Sequence, residues 1–348
     1  NALNTDTLKS RGIDVANAAD VALLTQSLSS ATVAARGFRV PYAGFPTGQT
    51  LAQSLRPYPQ FTNVNVYWAP LGKTWYDSLQ VKLTKRMSHG LSVLSTFTWS
   101  KSLQMGAERE PNPGTTGNAT INNVFNRPVN KYLSLHDQPF VSNTSITYVT
   151  PRVKLGSGFA GHTTSWLAQD WTIGAFLQYA SGLPIQVPTA QNSLNNQIFQ
   201  STFANRVPGQ PLFLQDLNCH CFDPSNSFVL NPAAWADPAP GQFGTSAAYY
   251  SDYRKQRRPQ ESMNLGRTFR IREGMTLNIR MEFSNVFNRA RVNDPTSTNA
   301  KQALVRNPDG TTASGFGFID RTTQTGGTTP AIVNISPRSG TLVARFTF

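Results

Sequence analysis

The chain has 348 residues, of which 39% are hydrophobic, 11% aromatic and 14% charged, with a net charge of +13. That length admits one large or two ordinary domains, the charged share is well below the usual quarter, and no window holds the roughly 18 consecutive apolar residues of a membrane helix. The basic excess is spread as single residues through strand-like segments rather than massed on a reading helix or a stacking platform, which argues against nucleic acid as a partner.

No basic-then-apolar leader opens the sequence, so the chain is expected either not to be exported or to lack its true start. The first 60 residues show no sustained period. Ala16 to Ala34 tolerates helix, but Gly37, Pro41, Gly44, Pro46, Gly48, Pro57 and Pro59 interrupt the stretch beyond it. Residues 1–60 are therefore expected to be an extracellular loop with a short helix near Asp20 to Leu28. Strand signals begin near Phe61. Over residues 73–86, Leu79, Val81 and Leu83 alternate with Ser78, Gln80, Lys82, Thr84 and Arg86. Over 91–102, Leu91, Val93, Phe97 and Trp99 stand against Ser92, Thr96, Thr98 and Ser100, and Ser88-His89-Gly90 between the two reads as a hairpin turn.

Residues 138–150 alternate more weakly, with Phe140, Ile146 and Tyr148 on one face. Residues 169–181 put Trp171, Ile173, Ala175, Leu177 and Tyr179 together. A span from about Pro188 to Arg258 without a period precedes 260–272, where Met263, Leu265, Phe269 and Ile271 oppose Asn264, Thr268, Arg270 and Arg272. Arg267 breaks that apolar list. Glu273-Gly274 turns the chain into 275–287, with Leu277, Ile279, Met281 and Phe283 against Thr276, Asn278, Arg280, Glu282 and Ser284. In the last segment, 339–348, Leu342, Ala344, Phe346 and Phe348 oppose Thr341, Arg345 and Thr347, with Val343 the exception.

Period-two alternation sends the two lists to opposite faces of each strand. The connections run short, long, middling, long, short, long. A globular domain has little use for three long spans without structure of their own. A membrane barrel has short periplasmic turns and long outer loops. If Phe348 ends on the periplasmic side, Ser88-Gly90, Pro151-Ala168 and Glu273-Gly274 all fall there too. The expected fold is therefore all-β: an antiparallel transmembrane β-barrel portion of about seven strands with long extracellular loops.

A charge facing lipid at mid-bilayer costs about 2 to 4 kcal/mol, so the polar list is expected to face the lumen and the apolar list hydrocarbon. Lys82, Arg86, Arg270, Arg272, Arg280, Glu282 and Arg345 are then lumen-facing charges. They form either a ladder of paired and hydrated groups or an electropositive path for an anionic solute. Trp75, Trp99, Trp171, Tyr179, Phe346 and Phe348 lie near strand ends, where an aromatic girdle belongs. The competing fold is a β-sandwich, in which the same apolar lists pack on a second sheet.

Several segments bear a family resemblance. Leu55-Arg-Pro-Tyr-Pro-Gln-Phe61, Trp75-Tyr-Asp-Ser-Leu-Gln-Val-Lys82, Gly90-Leu91 and Phe97-Thr-Trp-Ser-Lys101 resemble the β-barrel of TonB-dependent outer-membrane receptors of the Oar-like group. Members of that group carry an amino-terminal carboxypeptidase-regulatory-like domain. Asp170-Trp-Thr-Ile-Gly174, Ser181-Gly-Leu-Pro184, Asn231-Pro-Ala-Ala-Trp235, Glu282-Phe-Ser-Asn-Val-Phe-Asn288 and Pro337-Arg-Ser-Gly340 are similar to its later segments, in order. The resemblance implies a barrel of about 22 strands around a plugged lumen, seated in outer-membrane lipid and energised through TonB to take up an extracellular ligand. With only about seven strands present, a carboxy-terminal portion is expected. The signal peptide, the TonB-contacting segment, the plug and the earlier strands would lie outside it.

Chemical motifs are sparse. His89, His136, His162 and His220 are scattered, and Asp223-Pro-Ser-Asn226 and Asn307-Pro-Asp-Gly310 carry too few carboxylates for a calcium loop. The Gly326-Gly327 run follows no strand that opens a helix. No catalytic, cofactor or metal site, and hence no enzyme, is expected. Cys219 and Cys221 flank a single His, too few ligands for closed zinc; they form a local disulfide, remain free thiols, or less simply hold a metal. Arg254, Lys255, Arg257 and Arg258, in a loop near an outer strand end, are expected to meet anionic headgroups or a ligand. Two other functions remain open: a secreted adhesion or glycan-binding sandwich, and a passive porin-like channel.

Overall fold

In a computed structural model, residues 3–348 are described apart from 4, 63, 65–71, 106–121, 124–125, 153–155, 157, 192–201, 220, 240–241, 290–291 and 321–337. His220, Gly326 and Gly327 thus lie outside the described residues. Seven long strands dominate: β1 (Lys73–Ser88), β2 (Leu91–Met105), β3 (Phe140–Val149), β4 (Trp171–Ala180), β5 (Gln260–Arg272), β6 (Met275–Ser284) and β7 (Ser339–Thr347). Each pairs antiparallel with its neighbour in the chain, giving an up-and-down meander that leaves β1 and β7 as open edges. The strands are 9 to 16 residues long, and about 9 to 11 tilted residues cross a bilayer.

Local chemistry explains the turns. The β1–β2 hairpin closes through His89 and Gly90, both at positive φ (51° and 79°), as a tight hairpin turn with the twist of its strands requires. At Gly90 a Cβ would stand 2.1 Å from the Val149 carbonyl oxygen, so only glycine lets β3 approach.

Register then does what periodicity in one strand cannot. Val81 faces Phe97, which faces Ser142, which faces Tyr179. Ile173 lies opposite Leu265, Leu265 opposite Met281, and Met281 opposite Leu342. Directly opposed residues share a face, so the apolar lists of all seven strands join into one surface. Away from its two ends, no described residue covers it. Leu79 is 55% exposed and Leu342 is 68% exposed, and the other sheets among the described residues are two-stranded ribbons. The sandwich expectation fails on this point, because no second sheet of described residues packs there.

The water-excluding cores lie elsewhere, in the two stretches where the sequence shows no period. At the amino-terminal end, α1 (Thr5–Ser10), α2 (Ala18–Leu23), α3 (Ala31–Ala35) and α4 (Leu51–Ser54) enclose Leu8, Val21, Leu24, Val33 and Leu51. The described residues up to 60 thus form a small helical unit rather than an irregular loop. Helices of one or two turns are too short to show a 3.6-residue period. Side-chain caps hold two of them: Asn17 accepts from the Ala19 amide at 2.9 Å and Thr50 from the Gln53 amide at 3.2 Å.

The second core belongs to the long connections. Residues from 132–133, 185–253 and 316–319 bury Phe203, Leu230, Trp235, Tyr253, Phe316 and Ile319 together. The described parts of the spans expected to be structureless therefore fold over one end of the sheet as a cap, with the ribbons Pro184–Gln186/Tyr249–Arg254 and Asn205–Arg206/Trp235–Ala236 inside it. The β3–β4 connection also differs from expectation: it carries an eleven-residue helix, α5 (Gly158–Ala168).

Candidate functional site

The cap is tied to the strand ends by buried polar groups. Asp137, just before β3, is 2% exposed and pairs with Arg254 at 2.5 Å. Its other carboxylate oxygen accepts from the Ser102 amide of β2 at 2.7 Å. Arg254 also donates to the Asp137 carbonyl (2.8 Å) and to the Gly182 carbonyl beyond β4 (3.1 Å). At Gly182 a Cβ would stand 1.8 Å from the Lys255 carbonyl oxygen. One ion pair thus fastens the outgoing ends of β2 and β4 to the segment that enters β5.

Deeper in the cap, Asn122 joins three stretches. Its side-chain amide donates to the Ser246 carbonyl at 3.0 Å. Its carbonyl accepts from the Phe203 amide at 3.0 Å and from the Thr202 hydroxyl at 2.6 Å. Tyr253 is fully buried, its hydroxyl 3.1 Å from that of Ser297. Burial pushes its pKa well above the usual tyrosine value, and the Ser297 contact opposes this only in part. Arg206 donates to Asp252 at 2.7 Å, and this hydrogen bond pushes the guanidinium pKa further up.

Next to this clamp lies a cavity of about 560 Å³ lined by Phe213, Asp216, Asn218, Asp252, Arg254 and Lys255, among others. Carboxylates, an amide, cations and an aromatic edge meet in one cleft, an arrangement that holds a polar ligand by several oriented contacts. Cys219 and Cys221 are joined by a disulfide beside it, with Cα atoms 5.1 Å apart. Among the described residues no group of three or more His, Cys, Asp or Glu is placed to hold a metal ion.

The basic run near β5 does not stand free as one patch. Arg254 is consumed by Asp137, and Lys255 and Arg258 both reach Asp294 at 2.7 Å. Arg257 stays exposed and touches Asn218 through its Nε at 3.2 Å.

Lys82, Arg86, Arg270, Arg272, Arg280, Glu282 and Arg345 fall into two groups. Lys82, opposite Thr96, and Arg86 lie on β1. Arg270, Arg272, Arg280, Glu282 and Arg345 lie on β5, β6 and β7. Of these seven, Arg280 and Glu282 are brought into an ion pair, at 2.5 Å. Between the groups, the same face of β2, β3 and β4 carries Thr96, Thr98, Asn143, Thr147, Thr172 and Gln178 and no charge.

Charges on the apolar face keep to its ends. Glu261, near the cap, is 1% exposed and pairs with Arg289 at 2.9 Å. Arg267, near the short turns, is 6% exposed, with its guanidinium over Trp166 (4.3 Å), Phe269 (4.8 Å) and Trp171 (5.5 Å). It also donates to the Trp166 carbonyl of α5. Rings and a carbonyl there replace the water that the cation would otherwise need. Asp137, Asn122 and Glu261 had no local signal, since their partners are remote in the chain. Arg267 had one, as the single break in its strand's apolar list.

An open antiparallel meander with a mainly apolar face left uncovered between its ends, charges kept toward those ends and a polar opposite face is a section of transmembrane barrel wall. No helix among the described residues is long and apolar enough to cross a membrane; the strands cross. A family model of an outer membrane beta barrel domain matches residues 16–332, and the chain belongs to that family. The match takes in most of the helical unit, the cap and six of the seven wall strands; β7 lies beyond it. The protein is thus an outer-membrane β-barrel protein, and the outer membrane is its location. No curated protein and no solved structure matches the chain.

Proposed function

We propose that this chain is part of the barrel of a TonB-dependent outer-membrane transporter that takes up an extracellular ligand first held by the cap. The observation that carries the reading is the cap itself. The long connections bury their own core and enclose a cavity of about 560 Å³ lined with both signs of charge. A pore for passive diffusion gains nothing from such a site, whereas a receptor that must capture before it transports does. The ordered segments from Leu55–Phe61 to Pro337–Gly340 that resemble Oar-like receptors support the coupling to TonB.

Open edges at β1 and β7 support a larger barrel. Unpaired backbone groups are not tolerated in hydrocarbon, so further strands would flank this sheet. In that setting the polar face of Lys82, Arg270, Arg280 and Arg345 lines the lumen, and lipid and TonB are the partners. We place no nucleic acid and no catalytic reaction in this reading.

The test is made in cells that carry the full-length gene. Outer-membrane fractionation followed by ligand-dependent uptake or growth, with and without TonB, is expected to show membrane location and loss of uptake when TonB is deleted. Uptake that persists without TonB, together with steady conductance in planar bilayers, would instead establish a passive channel.

A further inference from the structure

A second cavity, of about 500 Å³, opens on the apolar face at its cap end. Its floor is Phe97, Phe140, Ser142 and Tyr179, which the register places side by side on the lipid-facing surface of β2, β3 and β4. The Phe97 and Phe140 rings are stacked, with centroids 6.3 Å apart. The roof belongs to the cap: Arg257 from the segment before β5 and Arg289 from the segment after β6. Arg257 has no carboxylate partner among the described residues; its Nε and backbone amide are both fixed by Asn218 Oδ1, and its side chain lines the cavity. Arg289 is held by the buried Glu261 at 2.9 Å. The neighbouring cations Lys255 and Arg258 share the single carboxylate Asp294. Of the two cations that line the cavity itself, Arg257 and Arg289, Arg289 alone is matched by a carboxylate among the described residues, which leaves the roof positive.

We propose that this cavity binds one phosphorylated lipid of the outer leaflet. Its phosphate sits against Arg257 and Arg289, and its acyl chain runs down over Phe97 and Phe140. The inference rests on the reading of the apolar face as the lipid-contacting one. Its new content is a defined headgroup site rather than a general belt of charge. Three features together select this occupant. Guanidinium groups favour phosphate oxygens. The floor shares its face with Val81 on one side and Leu177 beyond it, so an acyl chain can leave the cavity along the wall. The cavity also lies at the long-connection end, which faces outward in outer-membrane barrels. A soluble anion would satisfy the roof and leave the aromatic floor uncovered.

The experiment uses full-length protein purified from outer membranes in mild detergent, with native mass spectrometry against three probes: diphosphoryl lipid A, phosphatidylcholine and inorganic phosphate. The wild type is expected to retain lipid A in preference to phosphatidylcholine. Arg257→Gln is expected to weaken lipid A binding roughly tenfold, the loss of one charge-assisted contact, and to leave phosphatidylcholine unchanged. Phe140→Ser, on the floor and away from any ion pair, is expected to weaken it as well. Equal retention of the two lipids, an unchanged R257Q, or full competition by inorganic phosphate would each overturn the site. Protein absent from the outer-membrane fraction would count against the reading of the sheet, whereas protein that reaches the membrane without lipid preference would count only against this cavity.

Discussion

The wall and the cap obey opposite rules of burial. In the wall, Leu79, Val81, Leu342 and Phe346 stand exposed, while in the cap Phe203, Leu230, Phe316 and Ile319 are sealed from solvent. Both regions use the same residue types. The difference lies in the solvent each expects. Lipid tails are as apolar as leucine, so a leucine in the wall has no reason to leave its surroundings. Water surrounds the cap, and there each buried large side chain contributes about 1.5 to 3 kcal/mol to folding. A protein can thus carry its hydrophobic core in its connections and none between its strands.

The contrast is tested most severely at the junction. Arg254→Ala leaves the Asp137 carboxylate buried without its cation, and the expected loss is about 3 to 5 kcal/mol. Limited trypsin digestion of the full-length protein in detergent is expected to cut the cap of this variant while the barrel keeps its heat-dependent gel mobility; a cap as resistant as the wild type would break the comparison.

Phe316→Ala and Leu79→Ala sharpen it next. Phe316 is fully buried, so its truncation is expected to cost about 3 to 5 kcal/mol. Leu79, on the wall, is expected to cost about 2 kcal/mol, the lost transfer of three carbons from water to lipid with no cavity added because lipid fills the space. Urea titrations of the two variants in lipid vesicles measure both, and equal losses would refute the assignment of solvents.

The two faces of the wall are separated by a charge. Met281→Arg is expected to cost about 2 to 4 kcal/mol in refolding into vesicles, because Met281 lies between Leu265 and Leu342 on the exposed part of the apolar face. Thr276→Arg, on the other face of the same strand, is expected to change little.

The smallest effect concerns pH. Burial lifts the Tyr253 pKa above its ordinary value of about 10. Below that pH both folded and unfolded chains keep the proton, and the contribution is complete. Above it the unfolded tyrosine ionises while the folded one does not, so cap stability falls as pH rises past 10. Tyr253→Phe is expected to remove this alkaline loss, at about 1 kcal/mol of neutral-pH stability through the Ser297 hydrogen bond. An alkaline transition identical in the variant and the wild type would show that another group titrates.

How far the fold could be read in advance differs between these regions for a physical reason. Strand faces follow from residues two apart, so Leu277, Ile279 and Met281 declared theirs without reference to any other strand. The cap's anchors do not: Asn122 meets Gly244 and Ser246 from 122 and 124 positions away, and no local period encodes such a meeting. The helical unit fell between these cases, since its helices are too short to show a turn-by-turn repeat. Arg267 is the instructive exception. Its break in the apolar list was visible, but its meaning was not, because Trp166 reaches it from a separate helix.

Alternation along the chain was enough to establish the number of wall strands, their two faces and the side each turn occupies, since those depend on backbone pleat and neighbouring residues alone. The fold had to be assembled before the rest was fixed: the register that merges seven apolar lists into one surface, the cap that buries the long connections, and the pairing of Asp137 with Arg254 and of Glu261 with Arg289. Each of these is a contact between distant segments, and its free energy exists only once the chain has brought them together.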